Sequence, residues 1–306
     1  MPNTAEKMRW GLRRRLEFID FRLFWDGRFN RKDMDEAFGL SSQQASTDIA
    51  KYDELAPGNL IYDRAEKAYV RAESFAPAFI AESFERYLLQ LVAIENRWMR
   101  QEETWFHTIP PVEIVTLGRR PTDPQVLLRL LDAIRQKMEI KVEYASLTGS
   151  PEGSRVIAPH ALAHSAGRWH VRAWSREHND FRNYNINRIR SVGEQQPSAI
   201  DPALDFEWAH EINLVIVPNP GLSTEQQAAV AAEHGMKDGQ LIWPCKLSLS
   251  FYLMTEYNLD VEIGVLRPEK QQLVLQNRVE VDQARAAARQ MSIEALARKS
   301  AESEKP

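Results

Sequence analysis

The 306-residue chain has one cysteine, Cys245, so no internal disulfide framework can form. A lone thiol fits a reducing compartment, and the cytoplasm is the expected location. Long apolar runs are also missing. Nothing approaches the roughly 18 apolar residues in a row that read as a membrane span, so no membrane partner is expected. The opening stretch, MPNTAEKMRWGLRRR, lacks the apolar segment of a secretory leader. Common chemical signatures are absent too: no GxxxxGK(S/T) phosphate loop, no glycine fingerprint for a dinucleotide, no HExxH zinc pair. His160 and His164 stand four apart, but beside Pro159 in a strand-rich stretch, and are not read as a metal pair. Cys245 follows Pro244, stands alone among thiols and reads as a buried inert one. No cofactor, no metal and no enzymatic activity are expected.

What is present is ordinary globular composition, 43% hydrophobic and 27% charged, at a length that suits two or three domains. Charge is unevenly placed. Residues 155–192 carry seven arginines (155, 168, 172, 176, 182, 188 and 190) against Glu177 and Asp180, while the whole chain has a net charge of −4. These arginines alternate with Trp169, Val171, Trp174, Phe181, Tyr184, Ile186 and Ile189, a period-two pattern that predicts half-buried strands. Such strands bury one face and offer guanidinium forks on the other, which suit phosphate or carboxylate oxygens. The alternative is a solvated charged sheet face. Trp169 reads as a core anchor, because its neighbours in the alternation, Val171 and Ala173, are apolar. Residues 193–306 reverse the balance, with ten Lys/Arg against seventeen Asp/Glu, which argues against DNA contact there.

The N-terminal segment predicts three helices and a hairpin. RWGLRRRLEFIDFRLFW has an apolar stripe near helical spacing and stops at Gly27. Asn30 caps a short second helix, RKDMDEAFG, and Ser41 or Ser42 caps a third, SSQQASTDIAKYDEL. Ala45, Ile49, Tyr52 and Leu55 face inward on that third helix. Leu60–Tyr62 and Ala68–Val70 form strands around the turn DRAEK. Three helices with a tight turn before the third, then a hairpin, is the order of a winged helix-turn-helix. On this reading Ser42, Gln43, Gln44, Ser46 and Thr47 reach bases or phosphates in a major groove, and Lys51, Arg64 and Lys67 neutralise phosphates. The alternative is a helical domain used for protein contacts, with the glutamines as surface filler.

Residues 73–110 read as helix after FAPAF, with an apolar face of Ala81, Phe84, Leu88, Leu91, Val92 and Trp98. The proline-containing stretch 107–123 reads as a boundary. A helix at 124–138, a strand at IKVEYASL and a turn at TGSPEGS follow. Then come Arg155 before an apolar pair, Pro159-His160, Gly167-Arg168-Trp169-His170-Val171, Phe181-Arg182 and Arg188-Ile189. This succession resembles a WYL domain, with Trp169-His170-Val171 at the three naming positions. The tyrosine position holds His170, which can donate or accept a hydrogen bond and titrates near neutral pH when unperturbed. Together with residues 9–52 and the C-terminal segment, the whole chain resembles the WYL-type transcription regulators, with an N-terminal winged helix-turn-helix, that are associated with bacterial phage-defence islands.

That resemblance implies an α+β multidomain protein. Residues 1–72 would be the winged helix-turn-helix and 73–123 a helical connector. Residues 124–198 would be a WYL domain built as an Sm/SH3-like β-barrel, and 199–306 a C-terminal α/β dimerisation extension. It implies a homodimeric repressor that binds a double-stranded, pseudo-palindromic DNA operator and senses a nucleotide or oligonucleotide effector. By motif position the ligand face comprises Tyr144, Ser146, Arg155, His160, His170, Arg182 and Arg188. The residues by themselves leave another reading open: an RNA or single-strand binding protein without operator specificity, stacking bases on Trp169, Trp174 and Tyr184.

In the last third, INLVIVP reads as a strand. Ser223 and Gln226 form a capping box for the helix that follows. KLSLSFYLMTEYNL fits neither period well, and residues 272–280 read as strand. The alanine-rich tail from Asp282 reads as a helix that frays.

Overall fold

The computed structural model describes residues 9–81, 84–115, 122–147, 152–165 and 167–303. The chain divides into two compact units, Met1–Leu117 and Gly118–Pro306. Most of the turn expected at TGSPEGS, the middle of the proline-containing boundary and the end of the tail lie outside the described residues.

In the first unit, α1 (Trp10–Phe21) buries Leu16, Phe18 and Ile19 completely or nearly so. It runs into a π-helical turn, Arg22–Asp26, that ends on Gly27 at φ 75°, a left-handed value glycine adopts without penalty. β1 (Arg28–Phe29) follows. Asn30 and Asp33 exchange bonds of 3.1 and 2.8 Å in a capping box that starts α2 (Arg31–Phe38). The Ser41 hydroxyl accepts the Gln44 N–H and starts α3 (Ser42–Leu55), which buries Ala45, Ile49 and Tyr52. β2 (Leu60–Asp63) and β3 (Ala68–Arg71) form the hairpin, and β1 joins it in the antiparallel order β1-β3-β2. Three helices and a three-stranded wing share one core.

The helix expected after FAPAF and up to residue 110 is shorter: α4 covers Phe84–Glu95, and one 3-10 turn covers Gln101–Glu103. Long-range hydrogen bonding keeps the segment ahead of it out of the helix. Asp20, fully buried, accepts the N–H groups of Ala78, Phe79 and Ile80 at 2.8, 2.7 and 3.1 Å and takes the Tyr52 hydroxyl on its other oxygen. Backbone donors committed to a carboxylate cannot also close helical turns. Downstream, Arg97 adopts φ 59° and ends the helical run.

In the second unit, Asp123 caps α5 (Pro124–Gln136), whose proline sits in the first turn, where no N–H is missed. Five strands follow: β4 (Met138–Ala145), β5 (Glu152–Ser165), β6 (Arg168–Ser175), β7 (Asp180–Asn185) and β8 (Ile189–Pro197). They form an antiparallel sheet in the order β7-β6-β5-β4-β8. Val126, Leu130 and Ala133 of α5 pack on Ile140, Val142, Ile157, Val171 and Ala173. A closed Sm/SH3-like barrel is expected, but among the described residues the sheet is open. β7 and β8 are its edges, separated by the 3-10 turn Ile186–Arg188, which makes no ladder between them.

The extension starts with the 3-10 turn Pro202–Leu204 and α6 (Phe206–Ala209). β9 (Glu211–Pro218), α7 (Thr224–Glu233), β10 (Leu241–Lys246), α8 (Leu247–Glu256), β11 (Leu273–Leu275) and α9 (Arg278–Ser303) complete it. The second sheet has the antiparallel order β10-β9-β11. Ser223 and Gln226 make the capping box of α7. KLSLSFYLMTEYNL resolves as helix α8, burying Leu247, Ser250 and Met254 at spacings of three and four. The strand expected over 272–280 stops at Leu275. Asn277 then replaces the backbone ladder with its side chain, accepting from Val215 N–H and donating to the Asn213 carbonyl, both at 2.9 Å. That frees the backbone to turn helical at Arg278. The tail is not a loose helix: Val281, Ala288, Ser292 and Leu296 are buried along one face of α9. No helix among the described residues is long and apolar enough to cross a membrane.

Candidate nucleic-acid interface and effector site

The first candidate surface is the polar edge of α3 with the wing. Ser42, Gln43, Gln44 and Thr47 are exposed, and Ser46 and Lys51 are half-buried. Local bonds hold several of them. Ser46 and Thr47 hydroxyls donate back to the carbonyls of Ser42 and Gln43 at 2.9 and 3.0 Å. The Gln44 amide donates to Asp48 at 2.9 Å, and Asp48 is itself buried under a two-point contact with Arg15. Gln43 has no such internal bond among the described residues, so its donor and acceptor both stay available. Lys51 is neutralised by Glu54 at 2.9 Å. Arg64 and Lys67 are exposed at the wing tip, where Asp63 accepts the N–H groups of Ala65 and Glu66 and Lys67 adopts φ 51°.

The structure adds residues that the sequence reading passed over. Arg31 and Lys32 open α2 and, with Ser42, Tyr62, Lys67 and Tyr69, line a groove of about 480 Å³. Lys32 is paired with Glu36 at 2.9 Å, whereas Arg31, the first residue of the helix, opposes the helix dipole. A cation at the first helical position, Arg31 of RKDMDEAF, was the available signal.

The second candidate surface is the five-stranded sheet. Tyr144, Arg155 and Arg182 gather around Tyr184. Tyr144 meets the Tyr184 ring edge-on at 5.1 Å and accepts the Asn185 N–H at 3.3 Å. Burial raises the Tyr184 phenol, and the charges of Arg182 and Arg155 are among the influences that oppose it. By register Arg155 stands opposite Val142 and Arg182 opposite Ala173, both core positions on the α5 side. Arg155 pairs with Glu177, while Arg182 lies 3.9 Å from Asp180. Ser146 and Arg188 are half-buried.

His160 and His170 lie on the other face, so the seven residues do not form one open surface. His160 sits in the register break between Pro159 and Ala161, with Nε2 2.9 Å from Asp205. His170 alternates with core Val171, is buried and packs tilted against Tyr252 at 4.6 Å. Burial first, then the charges of Arg168 and Arg188, push its pKa down to about 4. It is therefore neutral at pH 7, where the sequence alone suggested a group titrating near neutrality. Trp169 is 54% exposed and tilts against His164 at 5.0 Å, not the core anchor its alternation suggested. It is the second residue of β6, paired by register with His164, and its ring stays half in solvent there.

Sequence reasoning also missed a buried ion cluster on this face. Arg172 donates to both oxygens of Asp205 at 2.7 and 2.8 Å and to Glu207 at 2.9 Å. Burial opposes ionisation of Asp205, but hydrogen bonds from Arg172 and His160 outweigh it and hold the carboxyl below the usual range. These bonds tie the sheet to the segment that begins the C-terminal extension. No cluster of three or more metal-ligating side chains occurs among the described residues.

Comparison with known proteins matches this layout. Three family models match in succession. They are the BrxR transcriptional regulator winged helix-turn-helix domain at residues 11–93, the WYL domain at 125–193, and the BrxR transcriptional regulator C-terminal dimerization domain at 211–281. The DNA-binding transcriptional repressor CapW of Pseudomonas aeruginosa is 38% identical over 277 residues, 89% of this chain and 91% of that protein. CapW of Stenotrophomonas maltophilia is 35% identical over 91% of this chain and 94% of that protein. CapW of Escherichia coli strain KTE188 is 34% identical over 89% and 91%. Among solved structures, the proteasome accessory factor PafBC of Arthrobacter aurescens aligns over 96% of this chain and 51% of that one. Its identity is 14% and its TM-score 0.25, a likeness too low to bear on the fold. With one relative 38% identical along nearly its whole length and the three domain matches in order, the chain belongs to the BrxR/CapW family of winged-helix, WYL-domain transcriptional regulators.

Proposed function

We propose that this chain is a dimeric, sequence-specific DNA-binding transcriptional repressor. Its WYL domain binds an anionic, nucleic-acid-derived effector that relieves repression of a phage-defence operon. The observation that carries the DNA reading is the exposed edge of α3, with Gln43 unengaged and Arg31, Lys32, Arg64 and Lys67 exposed beside it. A major groove admits a helix, and a glutamine with free donor and acceptor can pair with adenine. The acidic C-terminal third, matched by a dimerization-domain model, supports a dimer held away from DNA. Two half-sites read by one dimer multiply affinity through effective concentration.

The alternative of a general single-strand binder draws on exposed Trp169. It is weakened by Trp174 and Tyr184, which are 8% and 5% exposed and cannot stack bases. The test is a gel-shift titration of the full chain against the DNA upstream of its own gene, beside scrambled duplex and single strands of equal length. Preference for one pseudo-palindromic duplex supports the proposal. Equal binding to scrambled duplex, or tighter binding to single strands, overturns it.

A further inference from the structure

A cavity of about 410 Å³ opens between the edge strand β7 and the helices α8 and α9. We propose that it is a nucleotide pocket completed by the C-terminal extension. Arg285 of α9 grips the phosphate there, Arg182 stands at the rim on the β7 edge, and Phe251 with Tyr252 of α8 forms the wall for the base. The inference deepens the effector reading above and rests on it for its purpose, but the pocket stands on its own geometry.

Charge comes first. Four arginines line the cavity (172, 182, 285 and 289) against Asp180 and Glu207. Arg172 is taken up by Asp205 and Glu207, and Arg289 makes two bonds to Asp180 at 3.0 and 2.6 Å. The other two are not satisfied. Arg182 has a buried Nε without a hydrogen-bond partner, its carboxylate neighbour Asp180 lying 3.9 Å away. Arg285 has a buried Nε in the same condition, with Asp282 also 3.9 Å away. Ser248, only 6% exposed, lines the same cavity with a hydroxyl that has no partner. Two acceptors at the cavity, Asp180 Oδ1 and Asn183 Oδ1, are unpaired as well, so the lining calls for a ligand that carries both acceptors and donors, as the phosphate and base of a nucleotide do. Guanidinium forks favour phosphate oxygens.

The aromatic wall narrows the ligand further. Phe251 is 47% exposed, with the Arg285 guanidinium 5.6 Å from its ring centre. Tyr252 meets Phe251 edge-on at 5.7 Å and is braced from behind by neutral His170. A ring held rigidly beside unpaired arginines is a stacking surface for a base. The volume is at the small end of ligand pockets, which suits one nucleotide rather than a long strand. A free 5′-nucleotide and the phosphorylated end of a short strand offer the same chemistry.

Calorimetric titration of the full chain tests this with four probes: a deoxynucleoside 5′-monophosphate, its nucleoside, inorganic phosphate, and a 5′-phosphorylated tetranucleotide. Saturable binding of the nucleotide or the tetranucleotide, about tenfold or more tighter than either the nucleoside or phosphate, is expected. The tighter of the two names the source of the ligand. Arg285→Ala should weaken binding about tenfold, Arg285→Lys less, and Phe251→Ala should weaken the nucleotide but not phosphate. Circular dichroism and melting of each variant exclude unfolding. No saturable binding, unchanged binding in Arg285→Ala, or phosphate binding as tight as nucleotide overturns the proposal. A nucleotide that binds through Arg285 but does not release operator leaves the pocket intact and removes the effector reading. Release that is indifferent to Arg285 removes the pocket alone.

Discussion

Arg172 and Asp205 face each other fully buried, joined by two parallel hydrogen bonds of 2.7 and 2.8 Å across 33 residues of chain. This pair, with His160 and Glu207, fastens the WYL sheet to the extension that follows it. Asp205→Ala leaves the Arg172 guanidinium buried with Glu207 alone. Removing one partner of a buried pair costs about 3–5 kcal/mol, and the remaining Glu207 contact places the loss at the lower end. Urea denaturation of the full chain should show a lower midpoint for the second unit.

Acid should act on the same cluster. The Asp205 carboxyl titrates below its ordinary value of 3.8 in the folded chain, so the unfolded chain binds the proton first as pH falls. The stabilisation is complete above pH of about 4 and declines as pH drops toward the folded pKa. Asp205→Asn should remove that part of the acid sensitivity in melting curves below pH 4.

His170 gives a separate window. Its folded pKa is about 4 against an ordinary 6.5, so between those values the unfolded chain accepts a proton that the folded chain refuses. Stability therefore falls from pH 6.5 to about 4, by about 3 kcal/mol at most. Histidine NMR should show one imidazole titrating far below the others. An ordinary midpoint for His170 would contradict the buried ring packed against Tyr252.

At the α3 edge, Gln43→Ala should relax base preference at one position by about 1–3 kcal/mol of discrimination. Gln44→Ala should do less, because its amide is already held by Asp48. Arg31→Ala and Lys67→Ala should each weaken all duplexes and lower the salt slope by about one. Lys51→Ala should change it less, since Glu54 already neutralises that charge. Salt-dependent anisotropy titrations resolve the three behaviours.

Arg155 and Arg182 serve the sensor claim. Arg182→Ala should leave operator affinity within about twofold but abolish release by the effector, as expected when one site is coupled to another through binding energy. Loss of operator binding itself would make the sheet residue structural.

Much of the first unit was legible because its signals are local. Asn30, Ser41 and Gly27 mark ends within a few residues of the groups they satisfy, and Ala45, Ile49 and Tyr52 keep helical spacing. The connector helix fell short at its far end, where Arg97 adopts a left-handed φ of 59° that no helical periodicity reports. Trp169 failed for a related reason: alternation tells which face a residue is on, not whether anything covers that face.

The amino-acid order alone determined the succession of helices and strands in the winged helix-turn-helix, its caps and the concentration of arginine in the middle of the chain, since each depends on neighbours in sequence. Only the tertiary structure decided which arginines are already occupied. Arg172 is closed off by Asp205 and Arg289 by Asp180, 109 residues away, whereas Arg182 and Arg285 keep unpaired donors. Charge satisfaction depends on distance in space, and seven arginines in a row of letters carry no record of which carboxylates fold back to meet them.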